Sequence, residues 1–198
     1  MPYSIQPYGP MKKLSPSAKR KLDLFDYVLN GKQSSTTVSA EMRERTMNAL
    51  LSQGASSVSN ISSELRKYIQ QTLAKSVRDG MSIADATAAL LEADSHAHGP
   101  FARSRHAAML IAKTELARAR QQAIFDYYSS AGGYQYYTWL SIRAKNTCEK
   151  CRERHNKYKK LTTWSKLGIP PIHPGCKCCL VPGYSLPDSA VPENYEEV

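Results

Sequence analysis

The sequence predicts a mainly α protein, in which a helical body of long helices is followed by a small β-containing module. Three observations support this fold class. Apolar residues recur every three or four positions from about residue 17 to residue 130, as on one face of a helix. This period ends at Gly132-Gly133, after which aromatic and β-branched residues dominate. All five cysteines come later still, in two clusters.

These changes of pattern divide the chain into four predicted regions. An extended, proline-rich N-terminal arm, residues 1–18, precedes the helical body, residues 19–131. A strand and a cysteine-containing module follow at 132–182, and an acidic tail occupies 183–198. The tail holds four acidic residues and no basic ones.

Five helices are predicted in the first two regions, each bounded by capping residues or by glycine. The clearest one repeats apolar residues at helical spacing and stops at Gly80. The stretch "SHAHGP" at 95–100 predicts a break, because its Gly-Pro pair cannot continue a helix. The predicted helices span 17–31, 39–54, 59–80, 82–94 and 101–129.

The segment "YQYYTWLSI", residues 134–142, predicts a β-strand that leads the chain to Cys148. It is short and rich in aromatic and β-branched side chains, unlike the helical segments before it. Beyond it, frequent Gly and Pro predict little regular structure.

The charge is strongly positive, with a net value of +10 at pH 7. The tail contributes four of the 17 acidic residues, so the rest of the chain carries 27 bases against 13 acids, or +14. This excess favours a polyanionic partner, most often nucleic acid.

The sequence predicts that the protein is made in a reducing compartment. The sequence has no run of 18 apolar residues, so no membrane segment is predicted, and its N-terminus lacks the apolar core of a secretory signal. In a reducing cytosol, clustered cysteines indicate metal ligands before disulfides.

The cysteine clusters have the spacing of a tetrahedral zinc site, which needs four N or S ligands in two close pairs on tight turns. The pattern runs CxxC, then 21 residues, then HxxCxCC. Prolines stiffen the approach to the second pair, and a glycine frees its backbone. We favour four ligands, with Cys178 as a rival to the last two and Cys179 as the spare: Cys148, Cys151, His173 and Cys176.

The metal is predicted to be structural Zn²⁺, because four thiolate and imidazole ligands close the coordination shell and no HExxH motif is present. Its binding would allow a module with little core of its own to fold. Three other interpretations stay open: unrelated free cysteines, a redox CxxC, and a disulfide that forms late in an oxidised particle.

Dense positive charge lies between the two ligand pairs. Eight bases against two acids give a net charge of +6 over residues 143–160, and a metal-stapled loop would hold them as a fixed patch for phosphate. A solvated rim, or a rim that docks on an acidic protein, is the alternative. The candidate nucleic-acid contacts are Arg143, Lys145, Lys150, Arg152, Arg154, Lys157, Lys159 and Lys160.

Four motifs in order resemble one family. A helix with "LIAKTELARARQQA", a strand with "YTWLSI", then "TCEKC" and "PPIHPGCKC" are similar to the C-terminal domain of phage head-morphogenesis proteins, the Mu F-like minor head proteins. The resemblance covers about residues 60–182 and includes the helix motif Lys113-Thr114-Glu115.

The resemblance implies a minor capsid protein of a tailed bacteriophage that is not an enzyme and has no catalytic residues. Such a protein is part of the virion head at the portal vertex, after a period in the host cytoplasm during assembly. It belongs to a multi-copy assembly, and its expected partners are the portal protein, the major capsid protein and packaged double-stranded DNA. Its expected roles are head morphogenesis and genome packaging, delivery or ejection.

The resemblance also implies roles for individual residues. It places the metal on the ligands named above, with Cys178 from the trailing CxC. Thr114 and Glu115 would bond the backbone of the module from the helix. For Glu115 the alternative is an ordinary ion pair with Arg118, one helical turn away.

This chain departs from the family pattern around the first ligand pair. Family members often have an acidic residue before the first cysteine and an Asp-Gly turn after the second, whereas this chain has "RAKN" and "RERHNKY". The sequence leaves two rival functions open. One is a small zinc-containing nuclease of treble-clef type with His155 as its base, and the other is a host nucleic-acid-binding zinc protein.

Overall fold

The computed structural model describes residues 23–24, 27–29, 40–56, 58–97, 105–130, 135–141 and 147–183, with only the backbone described for 93–97. The predicted N-terminal arm, the acidic tail after Gly183, and two candidate contacts, Arg143 and Lys145, lie outside these residues. The division of the chain into four regions therefore stays a prediction.

Six helices and three strands have defined bounds in the described part of the chain, and residues 23–24 and 27–29 are also helical. This arrangement confirms the predicted fold class. In chain order the elements are α1 (Ala40–Gln53), α2 (Ser63–Arg78), α3 (Ile83–Ala97), α4 (Arg105–Ser130), β1 (Tyr136–Ser141), α5 (Glu149–Arg154), β2 (Tyr158–Lys160), α6 (Leu161–Leu167) and β3 (Cys178–Gly183).

The helical body consists of α1 to α4, which pack against one another around an apolar core. Helix α2 starts where the side chain of Ser62 accepts a hydrogen bond from Leu65 N, and it ends before Gly80, whose φ of +66° suits glycine. The centre of this core is built from aliphatic side chains of all four helices, among them Leu50, Ile69, Leu73, Leu90 and Leu116.

Helix α4 is the central element, because it is buried along more than one face. The sequence shows a single alanine-rich stripe, yet polar side chains outside the stripe, such as Thr114 and Gln121, are also buried. These two side chains bond Gly175 and Leu180 of the cysteine module, which covers them. Leu24, Tyr27 and Val28 pack with other residues of α4 in a second core.

The structure corrects one predicted helix boundary and one prediction of irregular structure. Helix α3 extends to Ala97, three residues into the break predicted at 95–100, and residues 98–104 lie outside the described residues. Proline restricts only itself and the residue directly before it, so the helix can continue to Ala97. The region after Cys148 contains α5, β2, α6 and β3, although little regular structure was predicted. These elements have three to seven residues, which is too short for periodicity to reveal them.

The antiparallel sheet has the order β2-β1-β3 and is covered on both faces. On one face Tyr137, Trp139 and Leu180 pack in the core of the cysteine module. On the other face Leu140 and Val181 pack against the helical body. The sheet therefore joins the two parts, and side chains that alternate along β3 go to opposite sides.

The outer edge of β3 is paired by a side chain of α4. Gln121 Nε2 donates to Leu180 O at 2.9 Å, and Leu180 N donates to Gln121 Oε1 at 2.7 Å. The buried amide thus takes the place of a neighbouring strand, which satisfies an edge that would otherwise be unpaired. Within the described residues, no helix combines the length and the apolarity needed to cross a membrane.

Candidate metal centre

The first ligand pair lies at the start of a short helix. Cys148 is the N-cap of α5, with an extended backbone, and its carbonyl accepts from Arg152 N at 3.0 Å. Cys151 lies in the first turn of α5 and is buried. This N-terminal turn brings both sulfurs to the same side of the helix.

The second pair lies on a tight turn formed by His173, Pro174, Gly175 and Cys176. Cys176 N donates to His173 O at 3.1 Å, and Gly175 has a φ of +69°. Proline at the second position and glycine at the third are the residues that a type II turn requires. The turn places His173 and Cys176 next to each other at its two ends.

The two pairs converge on one region of space. The sulfur of Cys148 is 3.4 Å from His173 Nε2, and the sulfur of Cys151 is 3.6 Å from the same nitrogen. The sulfurs of Cys151 and Cys176 are 3.8 Å apart. Two groups with metal-ligand proximity share Cys151: one contains Cys148 and His173, and the other contains Cys176 and Cys178.

These three distances match edges of a zinc tetrahedron, although the four favoured ligands do not form a single group, since Cys176 lies with Cys151 and Cys178 and not with Cys148 and His173. With Zn–S bonds of about 2.3 Å and a Zn–N bond of about 2.0 Å, the edges of a tetrahedron are about 3.8 Å between sulfurs and about 3.5 Å between sulfur and nitrogen. Each of the three measured separations lies within about 0.1 Å of the matching edge. The donor set, thiolates and one imidazole, is also the set that zinc prefers.

The imidazole of His173 is oriented for a ligand at Nε2. Its Nδ1 lies 3.0 Å from Pro174 O, and because a carbonyl can only accept, Nδ1 carries the proton and donates. The lone pair of Nε2 is then directed at the sulfurs. A backbone carbonyl that holds the second nitrogen is a common support for a metal-binding histidine.

Cys178 and Cys179 are neighbours that point to opposite faces of the sheet. Cys178 is buried against Cys151 and Cys176, whereas Cys179 belongs to the core between the sheet and the helical body. Cys178 is thus close enough to act as a ligand. Cys179 has the position expected of the spare cysteine, on the far side of an extended strand.

The thiols of the site have divergent acidities when no metal is bound. The hydrogen bond from Cys178 lowers the pKa of Cys176 to about 6. Burial is the main cause that raises the pKa of Cys151 to about 12. The pKa of Cys148 is lowered, chiefly because its sulfur accepts the backbone N–H of Cys151. Burial lowers the pKa of His173, but its bond to Pro174 and the nearby thiols outweigh burial and raise it overall.

We expect metal affinity to fall as the pH falls. A bound metal requires thiolates and a neutral imidazole, so protons compete with it. Near neutral pH the high pKa of Cys151 means that binding must displace its proton, while Cys176 is largely ionised. Below about pH 6 Cys176 and His173 also hold protons, and the pH dependence should become steeper. Competition with a chelator at a series of pH values would measure this; equal affinity at pH 5.5 and pH 8 would contradict it.

The helical body anchors the second ligand turn through Thr114. Gly175 N donates to Thr114 Oγ1 at 3.0 Å, and that hydroxyl donates to Leu110 O at 2.7 Å. Glu115 is almost fully buried, and its Oε1 accepts from Arg118 at 2.7 Å, which is the ion pair within the helix. Lys113 is partly exposed on the same helix.

Replacement of Gly175 by alanine should destabilise the protein more than the same change at Gly80. Both residues have a left-handed backbone, but a Cβ on Gly175 would lie 2.9 Å from Leu110 Cδ1, whereas a Cβ on Gly80 would have no atom within 4 Å. The left-handed conformation costs about 1–2 kcal/mol at either position, and Gly175→Ala adds the steric contact.

Urea unfolding of Gly175→Ala, Gly80→Ala and the double variant Gly175→Ala/Leu110→Val would measure the difference. The Val change shortens the side chain that the new Cβ would meet. Equal losses at the two glycines would show that the contact with Leu110 has no effect.

The candidate cationic residues divide into exposed and internal ones. Arg154 donates to Leu167 O at 2.8 Å at the end of α6, and its guanidinium lies 5.0 Å from the ring centre of Trp139. Lys159 is only 6% exposed. Four others are exposed to solvent, and we call them the exposed module cations: Lys150, Arg152, Lys157 and Lys160.

The aromatic side chains of the module fill its core. Trp164 is fully buried and donates from Nε1 to Tyr137 O at 2.8 Å. Tyr158 is 9% exposed and stacks on Tyr136, with ring centres 5.1 Å apart. Neither Trp164 nor Tyr158 presents an open ring face of the kind on which a nucleic-acid base stacks.

His155 has a structural environment. Its Nδ1 lies 3.1 Å from Ser141 N, and because a backbone N–H can only donate, Nδ1 is the acceptor and carries no proton. The next residue, Asn156, has a φ of +62° and donates from N to Trp139 O at 2.8 Å. The lone pair that a catalytic base would use is therefore engaged in holding this turn against β1.

Comparison with known families matches residues 67–181 to the family described as Phage Mu protein F like protein. The matched segment comprises 115 of 198 residues, which is more than half of the chain. The chain belongs to the Phage Mu F-like family. This result confirms the resemblance found in the motifs, and the family is one of phage head morphogenesis proteins. Among curated proteins and solved structures, nothing matches significantly.

The family match runs from α2 to β3, so it includes the ligand turns and the helix that anchors them. Sequence reasoning missed two contributors within this segment. Gln121 has no motif that distinguishes it from the glutamine beside it, and Lys166, an exposed cation of α6, lies beyond the dense basic run. Only the folded arrangement shows that Gln121 pairs with β3 and that Lys166 is exposed on the cysteine module.

Proposed function

We propose that this phage head protein is a structural component of the virion whose zinc-stapled module contacts packaged double-stranded DNA at the portal vertex. The observation that carries this proposal is the combination of two groups of candidate ligands that share Cys151 with exposed cations on the segment between the two ligand turns. The ion and the buried core beneath it would hold the module rigid. Cations on a rigid support lose less freedom on binding than those on a mobile tail.

Each part of the fold has its own proposed partner. The helical body would dock on portal or major capsid subunits, and the protein would act in head assembly and in packaging or delivery of the genome. Zn²⁺ is the proposed metal because thiolates and imidazole are its preferred ligands and because three of the separations in the site match its edge lengths. The proposed ligands are Cys148, Cys151, His173 and Cys176, with Cys178 as the alternative fourth.

DNA binding should be insensitive to sequence and should weaken steeply with salt. Each phosphate contact contributes about 0.9 to the slope of log affinity against log salt concentration, so loss of four contacts should reduce the slope by about 3–4. We expect this reduction in a variant in which all four exposed module cations are changed to glutamine.

The matched control removes four exposed cations from the helical body: Lys67→Gln, Lys75→Gln, Arg78→Gln and Arg105→Gln. It has the same net charge as the module variant and should keep most of the slope. Equal slopes in the two variants would contradict the proposed contact. A flat salt dependence in the unmodified protein would indicate a protein partner instead. Mass spectrometry of purified particles tests the virion assignment, since a head component must be found in them.

A further inference from the structure

The acidic segment 184–198 has a charge pattern that the proposed function does not use. Its four acidic residues have no basic neighbour in the segment, while residues 1–183 carry a net charge of +14. Such a segment is drawn electrostatically to a cationic surface of its own chain when the point of attachment lies close to that surface. The described residues show where the attachment lies.

Strand β3 delivers this segment to the cationic end of the sheet. Its last residue, Gly183, pairs with Tyr136 of β1, and Tyr136 pairs on its other side with Lys160 of β2. Strands in a sheet are about 4.8 Å apart, so the backbone at Gly183 is about 10 Å from that at Lys160. The acidic segment therefore starts at the same level of the sheet as an exposed cation.

The aromatic stack fixes this exit. A Cβ on Gly183 would overlap the ring of Tyr158, so the chain passes directly against that ring. Tyr158 stacks on Tyr136, and the ammonium of Lys160 lies 5.6 Å from the ring centre of Tyr136. The end of β3 and the cation are thus held in place by the same pair of rings.

The reach of the segment covers the exposed module cations. Asp188 is five residues after Gly183, a distance of about 17 Å if extended, which is enough to reach Lys160. The last two acids, Glu196 and Glu197, are separated from Gly183 by up to about 45 Å of chain. Short tethers of this length give effective concentrations in the millimolar range, and a single exposed ion pair contributes very little binding free energy, so the docking requires several ionic contacts at once.

We propose that segment 184–198 docks on the exposed module cations of its own chain and that a polyanion must displace it in order to bind. The docking depends only on the described cations and the charge of the segment. The displacement rests on the proposed function, because it requires that DNA use the same cations. The segment would thus limit contact with nucleic acid until a longer and more highly charged polymer competes.

Carbodiimide cross-linking of the full chain tests the docking without DNA. This reagent joins a lysine to a carboxylate only when the two are in contact. We expect cross-links from the acids of segment 184–198 to Lys160 and Lys157 at low salt, and their loss at about 0.5 M salt, where charges are screened within about 4 Å. Cross-links to Lys67 and Lys75 of the helical body at equal yield would overturn the docking.

A mixture of isotope-labelled and unlabelled chains identifies the source of the acidic segment. Cross-links within one chain support the proposal, whereas cross-links that join labelled to unlabelled chains would overturn it in favour of contact between copies. The charge-neutral full-length variant, with Asp188→Asn, Glu193→Gln, Glu196→Gln and Glu197→Gln, should show none of these products.

DNA binding by the same variant tests the displacement. We expect it to bind DNA about 3–10-fold more tightly than the unmodified chain at low salt, which corresponds to a segment that covers the cations about 67–90% of the time. The control neutralises four exposed acids of the helical body, Glu41, Glu44, Glu64 and Glu92, and should change affinity much less. Equal gains would overturn the displacement. Cross-links without any DNA binding would overturn the proposed function alone, and DNA binding without cross-links would overturn the docking alone.

Discussion

Replacement of Cys151 by serine should abolish metal binding and unfold the module while the helical body stays folded. Cys151 is shared by both groups of candidate ligands, so its loss leaves each group with only two members. Structural zinc contributes about 10–16 kcal/mol of apparent binding free energy in small finger peptides, which is more than the stability of most domains. This substitution is therefore expected to have the largest effect in the chain.

The measurements are metal content per chain and limited proteolysis. We expect no stoichiometric metal and rapid cleavage within 147–177 in Cys151→Ser. The matched control is Cys179→Ala, which removes a buried thiol that faces the helical body; it should retain the metal and lose only about 1 kcal/mol from packing. Full metal content and full protease resistance in Cys151→Ser would contradict the assignment.

Cys151 also lies in the core of the module, so its replacement removes a packed side chain together with a ligand. Chelation removes only the metal and therefore separates the two effects. Removal of the metal from the unmodified chain should produce the same cleavage pattern, and added Zn²⁺ should restore resistance. Unchanged proteolysis after complete removal would show that the core holds the module without an ion.

Replacement of Gln121 by leucine should cost about 2–6 kcal/mol of the free energy of unfolding. The change leaves Leu180 N and Leu180 O without their partner at a buried strand edge, and each unsatisfied group of this kind costs about 1–3 kcal/mol. Leu180 lies on the same strand as Cys178, so loss of these two bonds should also lower the affinity for the metal.

Urea unfolding of Gln121→Leu and Gln122→Leu would test this expectation. Gln122 is the neighbouring residue, is partly exposed, and donates only to Asp126 in its own helix, at 2.8 Å. Its replacement should cost less than about 1 kcal/mol. Similar losses in the two variants would mean that the bonds to β3 contribute little.

The sequence correctly predicted features that depend on local chemistry. Helix α2 is one example, since its apolar repeat and final glycine are properties of consecutive residues. The turn from His173 to Cys176 is another, because proline at its second position and glycine at its third favour this conformation wherever they occur. The family resemblance also came from motifs that are short and ordered along the chain.

The sequence failed where distant residues decide the outcome. The sequence predicts surface positions for Arg154 and Lys159. In the structure Arg154 donates to the end of α6, and Lys159 is buried beside β1. The sequence predicts little regular structure between the cysteines. The helices and strands found there have three to seven residues, and segments this short form only against the sheet that they cover.

The sequence by itself determined that this protein has long helices, two cysteine-bearing turns and a large positive charge, because each depends on neighbours along the chain. Tertiary structure alone decided that Cys178 lies against Cys151 and Cys176, that Gln121 pairs the edge of β3, and which cations remain exposed. These outcomes depend on strand register and on contacts across about 60 positions of the chain, which no local pattern encodes.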